Sequence, residues 1–304
     1  MTFTYFLGAN SRRGFVSLYQ DFPPATDAFL HILKSGPGTG KSSFLRRIGK
    51  EAEARGLDIH YVLCSGDPDS LDGIYIPDLK QAWVDGTAPH VIEPRIFGAD
   101  TDYVNLGAFF RKSFDPHEIE RLQKLNAAYK GKYGSAYRLL EKYAANTDAS
   151  LCPAPDDAGR AVLEALPDRG GTGRLYRRFL SAITWKGILR LRMELDGFQC
   201  LPCSETLLRD GAEQAKKKGW NAVLCPSPLD PDRLEALILP DAKLAFTAFS
   251  DLNADDPLLR NALLELQRAK EMHDELEAIY HPHISFQALE EYTASLLPRI
   301  FSST

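Results

Sequence analysis

The sequence lacks the features of disulfide-rich secreted proteins and of membrane proteins. Five cysteines, an odd number, are scattered over 304 residues, a length at which a protein is stabilised by its own core, so we predict reduced thiols. No segment approaches the roughly 20 apolar residues of a membrane span, and the first residues show no basic stretch followed by an apolar one. These absences predict a cytoplasmic protein that contacts no membrane.

The sequence also lacks the basic excess typical of proteins that bind nucleic acid. Lys and Arg number 36, Asp and Glu number 41, and the formal net charge is −5, so nucleic acid is not an expected partner. Hydrophobic residues make up 44% and charged residues 25% of the chain, which is the balance of a folded globular protein. The length predicts about two domains at roughly 150 residues each.

The chain contains two diverged copies of one sequence pattern. Segment 6–14 resembles segment 179–187, and segment 67–82 resembles segment 230–245. The second copy is ten residues shorter than the first between these two matched segments. Such self-similarity predicts an internal repeat of one structural unit.

The order of apolar segments predicts an α/β fold with a mainly parallel sheet and flanking helices, because strand-like and helix-like segments alternate in each half. Apolar residues spaced by three and four predict helical arms at 116–146 and 257–280. We divide the chain into a nucleotide-binding half at 1–112, a helical arm with a linker at 113–173, and a degenerate second half with a C-terminal helical arm at 174–304.

The clearest motif is a glycine-rich loop between an apolar strand and a helix. Residues 35–42 read Ser-Gly-Pro-Gly-Thr-Gly-Lys-Ser, close to the G-x-x-x-x-G-K-[ST] phosphate loop, with Ser35 in the first glycine position. In such a loop the amides surround phosphate groups, the lysine reaches the β- and γ-phosphates, and the next hydroxyl ligates Mg²⁺. A glycine-rich turn with an unrelated lysine is the alternative. The predicted nucleotide-binding residues are Gly36, Pro37, Gly38, Thr39, Gly40, Lys41, Ser42 and Ser43.

Asp85 is the predicted second metal ligand beside Ser42. It ends a short apolar strand, and ligands of open α/β sheets gather at the carboxyl ends of strands. The second half has Ala248 at this place and lacks the glycine loop as well, so both elements are missing together. An ordinary Asp-Gly turn is the alternative, since this dipeptide is common in turns.

Hydrolysis of a nucleoside triphosphate also needs a group that orients the attacking water. Many ATPases place a glutamate after the metal aspartate, but Gly86 stands there in this chain. The predicted catalytic residues are Lys41, Asp85, Asp67, Thr87 and His90, with Asp69 and Asp72 as further candidates for the base. For Asp67 and Asp69 we favour a turn-forming and helix-capping role over a catalytic one, because Asp230-Pro231-Asp232 persists in the half without a loop.

The cysteine and histidine patterns are weaker, and we interpret both as structural. Cys200 and Cys203 form a lone C-x-x-C without a second pair, for which we favour a strand over a zinc or redox site. His273, His281 and His283 have no carboxylate at ligand spacing and are predicted to be surface or packing residues.

These segments together resemble a known family. The loop makes the first half similar to P-loop NTPases, and segments 6–14, 35–42, 64–73 and 85–90 resemble an uncharacterised family of bacterial tandem P-loop ATPase-like proteins. The resemblance implies a P-loop NTPase-type parallel sheet, duplicated within the chain. It also implies ATP as the nucleotide, and no Asn-Lys-x-Asp element for guanine is present. Members of this family often carry two phosphate loops, of which this chain has one.

The predicted function is therefore an ATP-binding protein, a Mg²⁺-dependent ATPase with one active site in the first half. Two alternatives stay open: a kinase for a nucleotide or small metabolite, and a non-hydrolysing binding module gated by ATP. A protein partner, an acceptor or an oligomer is compatible with either, and the sequence identifies none of them.

Overall fold

The structure of the chain is a computed structural model that describes residues 2–25, 27–147, 155–191, 195–249 and 251–302. It is a mixed α/β protein whose sheets contain parallel strands and are flanked by helices. No helix in these ranges is both long enough and apolar enough to cross a membrane. The predicted arms at 116–146 and 257–280 are each one continuous helix.

The secondary structure alternates between short strands and helices. In chain order the strands are β1 Thr2–Phe6, β2 Gly8–Ser11, β3 Gly14–Ser17, β4 Phe29–Lys34, β5 Ile59–Leu63, β6 Leu71–Ile76, β7 Gln81–Asp85, β8 Thr101–Asn105, β9 Leu175–Arg177, β10 Ser181–Thr184, β11 Gly187–Arg190, β12 Gln199–Pro202, β13 Ala222–Pro226, β14 Leu234–Leu239 and β15 Leu244–Thr247. The helices are α1 Lys41–Ala54, α2 Pro116–Asn146, α3 Asp157–Ala165, α4 Glu205–Lys217, α5 Pro257–Tyr280 and α6 Phe286–Ile300.

Contacts divide the chain into two compact units, each built from non-contiguous segments. Unit 1 comprises Met1–Thr4, Phe22–Ser135 and Leu264–Thr304, and unit 2 comprises Tyr5–Asp21 and Ala136–Leu263. Two boundaries fall inside the long helices α2 and α5. The division at residues 112 and 173 follows the sequence repeats, whereas the units follow contacts, so the two divisions cut the chain at different places.

A six-stranded sheet runs in the order β1-β5-β6-β7-β4-β8. Strand β4 pairs in parallel with β7 and with β8, whereas β6 pairs antiparallel with both β5 and β7. The sheet is thus mixed, where the sequence predicts a mainly parallel one. The cause is the connection from β6 to β7, in which the short 3-10 turn Pro77–Leu79 and Lys80 with φ 52° leave no room for a parallel crossover.

A five-stranded sheet in unit 2 runs in the order β9-β13-β14-β15-β12. As in the larger sheet, the strands pair in both directions: β12 is parallel to β15 and β9 to β13, whereas β14 is antiparallel to both β13 and β15. A register shift interrupts β5 between Val62 and Leu63, and another interrupts β13 between Cys225 and Pro226. Lys243, which like Lys80 precedes the last strand of the hairpin, also has a positive φ, of 50°.

Two β-hairpins of unit 2 share the same hydrogen bonds. In β2–β3 the Ser11 hydroxyl donates to the Gly14 carbonyl, and in β10–β11 the Thr184 hydroxyl donates to the Gly187 carbonyl. Phe6 and Phe179, which precede the two hairpins, exchange both backbone hydrogen bonds at 2.9 Å.

The core of unit 1 forms around α1, whose apolar residues recur at helical spacing. Phe44, Leu45 and Ile48 are buried in one cluster with Ile74 of β6 and Leu289 of α6. This packing fixes the start of α1, and with it the glycine loop, against the sheet.

In unit 2 the core forms around α4. Leu207 and Leu208 of this helix are buried with Leu237 of β14 and Leu163 of α3. Helix α3 lies in the segment 113–173 that the sequence assigns to an arm and a linker.

Four of the five cysteines are confirmed as free thiols, namely Cys64, Cys200, Cys203 and Cys225. Cys152 lies outside the described residues. Cys200 belongs to β12, so its predicted place on a strand is confirmed.

Truncation of one central apolar side chain in each sheet tests this packing. Ile74 and Leu237 are both fully buried, so we expect Ile74→Ala and Leu237→Ala each to lower the free energy of unfolding by about 2–5 kcal/mol. Urea unfolding followed by circular dichroism measures the change. Leu264→Ala, at an exposed position of α5, is the matched control, and an equal loss there would contradict the assigned cores.

Candidate functional site

The glycine-rich loop connects the carboxyl end of β4 to the first residue of α1. It spans residues 35–40, and α1 begins at Lys41 with Gly40 as its N-cap. Gly38 and Gly40 have φ angles of 62° and 85°, a left-handed conformation that glycine adopts without strain. Pro37 stands between the glycines and supplies no amide hydrogen.

The amides of this loop are open to a ligand. Gly38, Thr39 and Gly40 donate their N–H groups to no acceptor within the described ranges. The first-turn amides of a helix, here Lys41 to Ser43, have no intrahelical acceptor. Helix α1 has neither a capping side chain nor an acidic residue in its first turn. The loop and the helix N-terminus therefore present positive partial charge that an anion would satisfy.

The N-terminus of α4, which follows β12 in unit 2, is closed by the protein's own groups. Ser204 caps α4 by accepting the Leu207 amide at 3.2 Å. The Asp156 carboxylate accepts the Ser204 amide and the Ser204 hydroxyl, both at 2.7 Å, and these bonds lower the pKa of Asp156. A carboxylate thus occupies at α4 the place that stays open at α1.

Lys41 lies between the loop and the adjacent strand end. Its Nζ donates to the Gly36 carbonyl at 2.7 Å and lies 3.5 Å from Asp85 Oδ2. Only about a tenth of each of these two charged side chains is exposed, at 11% and 10%. Poor solvation strengthens the attraction between them and keeps the ammonium near the loop.

Asp85 ends β7, directly beside β4, because the parallel register pairs it with Leu33. The backbone and hydroxyl of Thr87 both donate to Asp85 Oδ1, at 2.9 and 2.6 Å. Thr87 therefore holds the carboxylate in place, and the second oxygen faces Lys41. The predicted juxtaposition of Lys41 and Asp85 is present in the structure.

Two further polar residues lie next to Asp85. The antiparallel register pairs Gly73 with Val84, so Asp72 lies opposite Asp85, on the same face of the sheet. His90 lies at the end of a turn in which its amide donates to the Thr87 carbonyl. The ligand atoms of Asp72, Asp85 and His90 all lie within 4.8 Å of one another, and all three residues are buried.

The three hydroxyl residues of the loop and the first turn of α1 have different surroundings. The Ser42 hydroxyl accepts the Leu71 amide at 2.9 Å, which places it beside the strand end that carries Asp72. The Thr39 hydroxyl donates to the Gly36 carbonyl at 2.8 Å and so closes the loop on itself. Ser43 is exposed.

Asp67 forms a turn rather than part of the cluster at Asp85. Its carbonyl accepts the Ser70 amide at 2.8 Å and its carboxylate accepts the Ser70 hydroxyl at 3.0 Å. Asp230 accepts the Arg233 amide in the same way, as the turn-forming interpretation predicts. Lys270 of α5 lies 3.7 Å from the Asp67 carboxylate.

The C-terminal helices of unit 1 pack closely against the loop glycines. A Cβ atom at Gly36 would lie 2.6 Å from the Tyr280 ring, and one at Gly40 would lie 2.7 Å from Leu289. A Cβ atom at Gly38 would lie 2.9 Å from the Glu277 side chain. Sequence reasoning missed these contacts. Apolar residues at helical spacing predict a helix, but they do not show that the helix packs against the glycine loop.

The weaker histidine pattern is explained by packing at one position. His283 is fully buried and makes hydrogen bonds to the Lys112 carbonyl and, at 3.0 Å, to Glu118. Its predicted packing role is confirmed. The prediction that no carboxylate lies at ligand spacing is wrong for His273, because the ligand atoms of His273, Asp274 and Glu277 lie within 4.8 Å of one another on one turn of α5.

Unit 2 buries a carboxylate at the position that corresponds to Asp72. Glu235 takes this place in the second copy of the repeat and is 1% exposed. Burial raises the pKa of Glu235 to about 7, although Ser181, Arg190 and Ser227 lower it. The residue at the position of Asp85 is Ala248, so this half has no carboxylate pair there.

Comparison with known proteins assigns no family to the chain. No family model, no curated protein and no solved structure matches it. The resemblance to P-loop NTPases therefore stays a prediction.

The raised pKa of Glu235 predicts a pH-dependent stability. The folded protein holds the Glu235 proton more tightly than the unfolded chain, so this contribution to stability is present at low pH and is lost as pH rises through about 7. We expect Glu235→Gln to raise the melting temperature above that of the wild type at about pH 8 and to change it little near pH 5.

Thermal unfolding at the two pH values measures the effect. Glu213→Gln, on the exposed face of α4, is the control and should match the wild type at both. A shift from Glu235→Gln that is the same at both pH values would contradict the assignment.

Proposed function

We propose that the chain is an ATP-binding P-loop protein, a Mg²⁺-dependent ATPase with a single active site in its N-terminal half. The second half would be a degenerate copy that keeps the fold and has lost the site. ATP is proposed over other nucleotides from the resemblance of the sequence alone.

The observation that carries this proposal is the contrast between the two helix N-termini. The loop amides before α1 have no acceptor within the described ranges, whereas at the start of α4 Asp156 accepts the Ser204 amide and Ser204 accepts the Leu207 amide. Unpaired amides at a helix N-terminus, with a lysine beside them, form a favourable site for an anion. Phosphate groups fit this requirement because they offer several acceptor oxygens.

The side chains around the loop fit a nucleotide with its metal ion. Lys41 would neutralise the β- and γ-phosphate oxygens, and its present contacts with Gly36 and Asp85 keep it at the loop. Ser42 and Asp85 would hold Mg²⁺, which supplies charge neutralisation of the phosphate oxygens when bound. Thr87 orients Asp85 and so acts as a positioning residue.

Duplication of the chain is supported by details that composition alone would not produce. The register shifts in β5 and β13 lie at equivalent places in the two copies of the repeat, as do the left-handed Lys80 and Lys243. Phe6 and Phe179, which open the first matched segments of the two copies, exchange identical backbone hydrogen bonds. A mutual exchange between equivalent residues is what a local two-fold axis requires.

Removal of the Lys41 charge tests nucleotide binding. ATP with Mg²⁺ at about a hundred times its Kd should raise the free energy of unfolding of the wild type by about 2.7 kcal/mol. We expect Lys41→Ala to stay folded and to lose most of this stabilisation, because the phosphates lose their cationic partner. Isothermal titration and thermal unfolding with ATP measure the difference.

Lys50→Ala is the matched control, since Lys50 is an exposed lysine of the same helix. It should keep the full stabilisation. If Lys41→Ala kept it as well, the phosphate site would be wrongly placed.

Replacement of Asp85 separates binding from hydrolysis. We expect Asp85→Asn to retain measurable ATP binding and to lower phosphate release by about 10²-fold or more, because a charge that acts at the reacting phosphate is lost. Continuous assay of released phosphate measures this effect. Binding by the wild type without phosphate release would overturn the ATPase proposal in favour of transfer to an acceptor or of an ATP-gated binding module.

A further inference from the structure

The buried group formed by Asp72, Asp85 and His90 has the composition of a transition-metal site. It lies at the edge of the sheet where β7 ends and β6 begins. The three residues are 5%, 7% and 6% exposed. Carboxylate and imidazole groups are the ligand types that divalent first-row transition metals take in proteins.

The hydrogen bonds of His90 fix which ring nitrogen faces the group. Its Nδ1 lies 2.8 Å from the Thr87 carbonyl, and because a carbonyl only accepts, Nδ1 carries the proton. Nε2 then lies 3.3 Å from Asp72 Oδ2. In a neutral imidazole this nitrogen offers a lone pair, as a metal ligand does, and its partner on the far nitrogen orients the ring.

The spacing of the three ligand atoms suits a small divalent ion. Nitrogen and oxygen ligands lie roughly 2.0–2.2 Å from such an ion, so two of them are at most about 4.4 Å apart. The three atoms already lie within 4.8 Å of one another. Closing the group around an ion thus needs only a small movement of these side chains.

The contacts within the group allow two arrangements. Asp72 Oδ2 and His90 Nε2 lie 3.3 Å apart, so they form either a direct pair or, with Asp85, a set of three ligand atoms around an ion. The carboxylate of Asp85 lies close to both residues of this pair, and the hydrogen bond of His90 Nδ1 to the Thr87 carbonyl orients the imidazole ring. Both observations favour the ion.

We propose that Asp72, Asp85 and His90 bind one divalent first-row transition-metal ion in the absence of nucleotide. An imidazole nitrogen beside carboxylates favours such ions over Mg²⁺, which prefers oxygen ligands alone. The site shares Asp85 with the proposed nucleotide site, but binding of the ion needs neither ATP nor the loop lysine.

Metal binding to the full chain without nucleotide tests the proposal. After treatment with a chelator and dialysis, the protein is titrated with Mn²⁺, and free Mn²⁺ is followed by electron paramagnetic resonance; Zn²⁺ is titrated by calorimetry. We expect one ion per chain, with Mg²⁺ competing at least tenfold more weakly. Asp72→Asn and His90→Gln should each weaken binding by tenfold or more.

Two further variants make the outcome specific. Lys41→Ala should bind the ion as tightly as the wild type or more tightly while losing ATP, so a failed nucleotide proposal and a failed metal proposal give different results. His273→Gln is the matched control, since His273, Asp274 and Glu277 form the other close group of ligand types in the described chain. Its binding should equal that of the wild type.

The results that would overturn the proposal are equally definite. Absence of Mn²⁺ and Zn²⁺ binding by the wild type would overturn the proposal and leave the contact of His90 with Asp72 as a structural pair. Unchanged binding in Asp72→Asn and His90→Gln, or loss in His273→Gln alone, would place the ion elsewhere. Circular dichroism of every variant identifies loss of fold, and if a variant fails to fold, the Mn²⁺ spectrum of the wild type must show nitrogen coordination.

Discussion

Backbone amides without acceptors at the start of α1 are the constraint around which the candidate site is organised. Gly38, Thr39 and Gly40 donate their amides to no acceptor within the described ranges, and α1 has no capping side chain. At α4 the protein supplies two acceptors itself, because Asp156 accepts the Ser204 amide and Ser204 accepts the Leu207 amide. The two helices follow β4 and β12, each of which pairs in parallel with the last strand of a hairpin. In the proposed function, a phosphate group takes the open place at α1.

The antiparallel hairpin of β6 and β7 gives the site its second component. In a purely parallel sheet, only the last residues of strands meet at the edge where β4 delivers the loop. Here the first residues of β6 reach the same edge, because β6 runs opposite to β7. Asp72 thereby lies beside Asp85, and His90 joins them from the turn that follows β7.

The sequence predicted those parts of the fold that depend on local pattern. The loop, α1, the helix 116–146 and the place of Asp85 at a strand end all follow from glycine spacing, apolar periodicity or the flanking turn. The alternation of strand-like and helix-like segments did not identify β6 or β8 individually. An apolar run of five or six residues does not reveal whether the strand that it forms pairs parallel or antiparallel with its neighbours.

The candidate site was predictable to a smaller extent. Proximity of Lys41 and Asp85 followed from the motif, but the partnership of Asp72 with His90 depends on a strand register that no local signal encodes. Packing of Tyr280 and Leu289 against the loop joins segments near opposite ends of the chain. The loss of the metal aspartate from the second half, by contrast, can be read directly from the sequence, since Ala248 stands at the position of Asp85.

The discontinuous make-up of unit 1 has a consequence for how the protein is synthesised. Residues 264–302 supply the side chains that pack behind the glycine loop, yet they are translated after the whole of unit 2. While the ribosome makes residues 136–263, the loop, α1 and the nascent sheet lack this cover, and the apolar side chains that Leu289 later contacts stay accessible. The glycine loop therefore acquires its complete packing only after the last segment of the chain has been made, although the loop itself is among the first segments to be synthesised.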